Sequence, residues 1–251
     1  MKKLTVFCAA ACLAASAAAQ NHPDLHEVLD RQKGRNLIEI PKGTYTLDVR
    51  SNGPYKFHNL TDVHINGNGS TVICNNQEQA FSFYNCVRVE LRDLTIDYDP
   101  LCFTQGEITA VAEDGSWFDV RIDEGYPVTG LAANRVQFYD PQTRLLKRNS
   151  ITTYTSNYSA LKQLGHNLFR AVKNGTWSAG EQVGDLVVMD VKTDKPNAGV
   201  HTVMLNKCYN TKLENVTVYG SNTFSFFEKE GYANEYRNCV VDRGPNAGDR
   251  K

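Results

Sequence analysis

The sequence shows no surplus of either charge: 27 Lys and Arg stand against 28 Asp and Glu in 251 residues. Without a basic stripe to neutralise phosphates, no nucleic-acid partner is expected. There is no Cys-x-x-C pair and no cluster among the 6 histidines, so zinc has no ligand set. No cofactor and no metal are expected. Beyond the N-terminus no apolar run is long enough for a bilayer span, so no membrane span is expected. Cysteine pairing is also short of a framework. Of the 7 cysteines, Cys8 and Cys12 fall in the N-terminal segment. That leaves Cys74, Cys86, Cys102, Cys208 and Cys239, an odd set that argues against a full disulfide network.

What is present is a repeat. Residues 81–99 (FSFYNCVRVELRDLTIDYD) return as residues 203–221 (VMLNKCYNTKLENVTVYGS). With Cys86 set on Cys208, Phe81 falls on Val203, Phe83 on Leu205, Leu91 on Leu213, Leu94 on Val216 and Ile96 on Val218. Each copy reads as three short strands with apolar residues at period two. The strands are separated by Asn-Cys, Arg-Asp or Glu-Asn corners rather than by hairpin turns. Tyr55, Phe57, Val63 and Ile65 lie one period of about 26 residues upstream. Phe224, Phe226, Tyr236, Cys239 and Val241 continue the pattern downstream. Such a unit buries its apolar faces only by stacking on copies of itself. The expected fold is all-β: a right-handed parallel β-helix, with a β-sandwich as the alternative. Cys86 and Cys208 then read as stacked buried thiols. A disulfide between them is the alternative if their rungs adjoin.

The organisation follows in chain order. Residues 1–19 read as a secretory signal peptide: Lys2 and Lys3 precede an apolar stretch, and Ala17-Ala18-Ala19 fits a small-residue cleavage site. The expected location is therefore exported, periplasmic or extracellular. Residues 20–101 hold a short capping helix around Leu25, Val28 and Leu29, followed by the first rungs. Asn66-Gly67-Asn68-Gly69 reads as a corner, since Asn and Gly supply positive φ angles. Residues 102–199 break the repeat without losing strand character: 108–111, 118–122, 136–139, 168–172 and 186–191 all read as strands. This segment is expected to be an inserted, small β-barrel-like subdomain on a corner of the solenoid. Residues 200–251 resume the β-helix, which ends without a recognisable cap and so reads as truncated.

Few residues suggest chemistry. Asp97 and Asp99 end the third strand of the central copy, on one side of it with Tyr98 opposite. They read either as an acid/base or sugar-binding pair, or as corner residues that bond backbone N–H groups. Glu228 and Glu230 form a second acidic cluster or a solvated turn. His201 opens the resumed rung, while His58 and His64 sit on an earlier one. The expected substrate-binding set is Asp97, Asp99, Glu228, Glu230 and His201, with Asp97 and Asp99 as the catalytic candidates. Trp117, Tyr126 and Trp177 in the insertion suit either sugar stacking or the core of a barrel.

Taken in order, the signal peptide, Ile-Pro-Lys-Gly-Thr-Tyr (40–45), Asn-Gly-Asn-Gly-Ser (66–70), Leu-Thr-Ile-Asp-Tyr-Asp-Pro (94–100), a β-rich insertion, Glu-Asn-Val-Thr-Val-Tyr (214–219) and Tyr-Arg-Asn-Cys (236–239) make a pattern. It resembles exported bacterial β-helix proteins related to the α-1,3-galactosidase family of inverting glycosidases. The resemblance implies a β-helix carrying an inserted barrel, and hydrolysis of galactose-containing glycans. In such proteins further rungs follow and carry a pair of catalytic aspartates. No such pair is found here, so no catalytic residue is carried over, and the chain resembles an N-terminal portion with little activity expected. The primary expectation is an exported, glycoside hydrolase-like β-helix protein acting on a glycan or polysaccharide. The rivals are a polysaccharide lyase of the pectate-lyase-like type, which would need Ca²⁺ on clustered carboxylates and a Lys or Arg base, and a non-catalytic glycan-binding module.

Overall fold

The computed structural model describes residues 22–76, 78–148, 153–154, 157–191, 201–221, 223–242 and 244. The expected signal peptide, residues 1–19, lies outside them.

The first described element is the helix α1 (Leu25–Asp30), and its start is set by Asp24, whose carboxylate accepts from the His26 N–H. Leu25 and Leu29 are fully buried and Val28 packs beside them against the solenoid core, so the helix covers one end of the stack as a cap. Strands β1 (Leu37–Glu39) and β2 (Thr44–Leu47) follow, then a single helical turn α2 (Val49–Asn52) that the sequence pattern did not announce. Strands β3 (Tyr55–His58) and β4 (Thr61–Cys74) make the next coil, β5 (Phe81–Tyr84) and β6 (Val87–Tyr98) the one after. Each lies parallel and in register on the coil before: β1 and β2 on β4, β3 on β5, and β4 on β6.

The chain then leaves the solenoid for an antiparallel sheet. Its strands are β7 (Phe103–Val111), β8 (Trp117–Ile122), β9 (Leu131–Tyr139), β10 (Thr153–Tyr154), β11 (Tyr158–Gln163), β12 (Leu168–Lys173) and β13 (Leu186–Val191). They are ordered β10-β9-β13-β7-β8-β12-β11. Five of these match the expected strands; β10 and β11 were missed. Among the described residues β10 and β11 are the two edges of the hydrogen-bonded order, and β11 also lies against β9. The sheet has its own apolar cluster, built on Phe118, Val120, Phe138, Phe169 and Met189.

After the sheet the solenoid resumes with β14 (Val203–Asn206) and β15 (Lys212–Tyr219), then β16 (Phe226–Lys229), β17 (Glu235–Arg237) and β18 (Val240–Asp242). Strand β14 pairs directly with β5, and β15 with β6. The matched columns are those of the repeat: Phe81 with Val203, Phe83 with Leu205, Leu91 with Leu213, Leu94 with Val216, Ile96 with Val218. The solenoid is a parallel β-helix. Three columns of left-handed residues turn its corners. Asn59, Asn85, Lys207 and Glu230 form one, Asp62, Arg88, Asn210 and Ala233 the second, and Asn68, Asp93, Asn215 and Asn238 the third. Asn and Asp tolerate this region better than other non-glycine residues. Side-chain bonds also run up the columns, as in Asn215 to Asp93 (2.7 Å) and Asn85 to Asn59 (2.8 Å). Asn68 and Gly69 lie in the expected corner, where the β4–β6 register shifts.

The last coil corrects two readings. Phe226, not Phe224, pairs with Val203, and Phe224 lies outside the stack at 61% exposure. As a result Glu228 falls inside β16 opposite Leu205, in the column of Phe57 and Phe83, rather than in a turn after the strand. Its carboxylate accepts from the Tyr236 hydroxyl (3.2 Å) and the Asn234 amide (2.9 Å).

Candidate functional site

The site is built from the second face of the antiparallel sheet. Strands alternate their side chains. In β13, Val187, Met189 and Val191 are buried, while Leu186, Val188 and Asp190 are half-buried on the other face. The neighbours repeat this. In β9, Val136 and Phe138 face the core and Arg135, Gln137 and Tyr139 the other side. In β7, Thr104 and Gly106 are buried and Phe103 and Gln105 are not. Register aligns Gln137, Val188 and Gln105 across the three strands, and sets Asp190 beside Phe103. This half-polar face would be ordinary solvent surface if nothing stood opposite it.

A corner of the solenoid stands opposite. His201 precedes β14, and Ser221, Thr223 and Phe224 lie between β15 and β16. Together the two walls border a half-open cavity of about 740 Å³, with Arg144 also on its lining. The size is that of a small-molecule site. The corner is held by a chain of hydroxyls across the point where the sheet interrupts the repeat. Tyr98 donates to the Glu78 carbonyl (2.9 Å) and lies 3.0 Å from Thr202 Oγ1, which donates to Ser221 Oγ (2.9 Å). The Thr202 carbonyl accepts from both Ala80 and Phe81 N–H groups at 3.0 Å.

Within the cavity the chemistry is mixed. Asp190 is the single carboxylate on the described lining. Burial pushes its pKa up from 3.8 to about 6, although the Arg135 guanidinium acts in the other direction. Burial lowers the His201 pKa, favouring the neutral ring. That ring stacks on Phe227 with centroids 4.0 Å apart and has Nδ1 3.0 Å from Thr223 Oγ1. Phe224 stacks on Phe227 in turn, which leaves an exposed aromatic face at the rim. The groups available are thus a carboxyl that is easily protonated, guanidinium and amide donors, and aromatic faces.

The residues expected from sequence are dispersed. His201 lines the cavity. Asp97 accepts the Tyr98 N–H at 2.8 Å, as expected of a corner residue. It nevertheless belongs to the neighbourhood: burial raises the Cys102 thiol, and Asp190 and Asp97 are both close enough to raise it further. Asp99 is exposed, and its N–H donates to the Cys74 carbonyl (3.1 Å). Glu230 is a left-handed corner residue beside Lys229 (3.3 Å) and Lys207 (3.8 Å). Neither it nor Glu228 lines the cavity. Two of the insertion's aromatics serve its core, Tyr126 buried and Trp177 edge-on against Tyr158, whereas Trp117 lies under the Arg170 guanidinium at 3.6 Å. Arg170 also makes a bidentate pair with Asp119, at 2.7 and 2.8 Å. Among the described residues no three His, Cys, Asp or Glu side chains gather so as to hold a metal ion. No helix among them is long and apolar enough to cross a membrane.

Asp190, Arg135, Gln105, Gln137 and Tyr139 were not singled out from the sequence. One signal was available. In Leu-Val-Val-Met-Asp-Val (186–191) an acid interrupts an apolar strand on the face away from the core. No protein-family model matches the chain, and no curated protein sequence matches it. The class defined by the structure is therefore that of the fold: a parallel β-helix interrupted by an antiparallel sheet, with a cavity where the two meet.

Proposed function

We propose that this is an exported, carbohydrate-active β-helix protein, glycoside hydrolase-like in organisation, that seats a galactose-containing glycan in the cavity between sheet and solenoid. The observation that carries the reading is the cavity itself. One half-buried carboxyl, two guanidinium groups, two amides and the Tyr139 and Phe224 rings meet in a space of about 740 Å³. Amides and guanidinium groups hydrogen-bond sugar hydroxyls, and aromatic rings cover the apolar faces of a sugar. Export is supported by the composition of residues 1–19.

Asp190 suits the acid half of glycoside hydrolysis, since a carboxyl with a pKa near 6 keeps its proton closer to neutrality than an ordinary aspartate. Inverting hydrolysis also needs a carboxylate about 6.5–9.5 Å across the scissile bond to activate water. The described lining supplies one carboxylate, so binding by this chain is expected with little turnover. A uronate lyase is the second reading, favoured by Arg135 and Arg144, which could neutralise a uronate carboxylate. The test is calorimetric titration with α- and β-galactosides, galactans and polygalacturonate, alongside hydrolysis and lyase assays. Saturable galactan binding, weakened at least about tenfold in Arg135→Ala and Phe224→Ala, supports the reading. Binding that is absent, or untouched by both changes, refutes it. Preference for polygalacturonate with unsaturated products selects the lyase.

A further inference from the structure

The repeat brings Cys86 and Cys208 together across the inserted sheet. Tyr84 pairs with Asn206 and Val87 with Tyr209, so Cys86 and Cys208 hold matched positions on adjoining coils. The Tyr209 N–H donates to the Cys86 carbonyl at 2.9 Å. Adjacent strands lie about 4.8 Å apart, inside the Cα separation a disulfide spans. Both residues are fully buried and both are free thiols. The Cys86 thiol also donates to the Phe57 carbonyl at 3.0 Å.

We propose that Cys86 and Cys208 are a redox pair whose oxidised form is a disulfide clasping the two coils on either side of the antiparallel sheet. The inference is independent of the glycan reading. Neither thiol lines the cavity. Matched positions on adjoining coils distinguish this pair from the other cysteines. The neighbouring thiol lowers Cys208 and raises Cys86, so the pair gives up its first proton more readily than its second. Burial raises Cys74, Cys102 and Cys239. Before the coils close either thiolate of the pair can attack first, and Cys208 serves as the example. With a small-molecule disulfide such as oxidised glutathione, the Cys208 thiolate attacks one glutathione sulfur and expels the other glutathione as a thiolate. Cys86 then loses its proton and attacks the Cys208 sulfur, expelling the second glutathione. The pair gives up two protons and two electrons, and one oxidised glutathione becomes two reduced ones. Because both sulfurs are buried in the folded chain, the exchange belongs to folding, before the coils close over them.

The experiment refolds the full chain from denaturant in buffered oxidised and reduced glutathione, and in parallel with reductant only. Both samples are alkylated, digested without reduction and analysed by mass spectrometry. The expected result is a linked Cys86–Cys208 peptide in the first sample, with Cys74, Cys102 and Cys239 alkylated. Its Tm should exceed that of the reduced chain by about 5–10 °C, since the bond closes a very long loop. That difference should vanish with dithiothreitol and be absent in Cys86→Ser and Cys208→Ser. Diamide added to purified chain in enough denaturant to open the coils, followed by the same analysis, covers a poor refolding yield. Thiols at 86 and 208 that stay alkylatable under both treatments overturn the proposal, as does a Cys74–Cys102 link in their place.

Discussion

Replacing Asp190 by Asn tests the electrostatics of the cavity without changing its shape. Burial raises the Asp190 pKa from 3.8 to about 6. The folded chain therefore holds the proton more tightly than the unfolded chain does, and folding stability falls as pH rises from about 4 through 6. Two pH units correspond to about 3 kcal/mol as an upper bound. Asp190 is only half-buried, and solvent screening reduces this to about 1–2 kcal/mol. Asn carries no proton to lose, so Asp190→Asn should match the parent below about pH 4 and exceed it by about 1–2 kcal/mol above pH 6.5, or about 3–6 °C in Tm for a chain of this size. Arg135 loses a partner in the variant, yet it faces an open cavity where water replaces the carboxylate. The assay is thermal unfolding of both proteins at closely spaced pH values. A Tm gap that stays constant with pH, or a variant less stable than the parent at pH 7.5, would refute the assigned burial. Any glycan step that uses the Asp190 proton should weaken over the same window as pH rises past about 6.

Two predictions concern the stack. Leu91 is enclosed by Ile65 on one side and Leu213 on the other, whereas Leu213 has beyond it Tyr236, which is 38% exposed. Leu91→Ala should cost about 3–5 kcal/mol and Leu213→Ala about 2–3, because the outer site can collapse onto the new space; denaturant titration giving the reverse order would contradict the stacking. Replacing residues 102–199 by a short Gly-Ser linker should preserve the parallel solenoid, since β6 pairs with β15 whether or not the sheet is present. Wholesale loss of strand signal in circular dichroism would show that the sheet belongs to the same folding unit.

The solenoid was legible because stacking forces each coil to place apolar residues where its neighbours do. Leu91 and Leu213 are 122 positions apart in sequence, yet their flanking patterns agree residue by residue. Phe224 was misplaced for a related reason. Phe224 and Phe226 both satisfy period-two alternation, and only the pairing of Phe226 with Val203 decides between them. That two-residue choice also moved Glu228 from a turn into a strand. Strand β11, Tyr-Ser-Ala-Leu-Lys-Gln (158–163), lacked alternation strong enough to be read, and owes its place to pairing with β12.

The cavity was not legible, and the reason lies in how the insertion joins the solenoid. Residues 186–191 read from the sequence only as a strand, whose alternation gives it a core face. That alternation also defines a second face, whose partner is more distant in the chain. The stack stays continuous across the insertion because Tyr98, Thr202 and Ser221 are tied together at the corner. That tie holds the corner carrying His201 and Phe224 against the face carrying Arg135 and Asp190. An interrupted repeat that closes over its interruption must leave the inserted segment beside the seam, and the seam then becomes a wall. Neither wall is a site by itself. The sheet contributes the charges and amides, the corner the histidine and exposed aromatic. Changes on the two sides should therefore act on the same ligand, and a double-mutant cycle in binding between Arg135→Ala and Phe224→Ala reads how strongly the two walls couple through it.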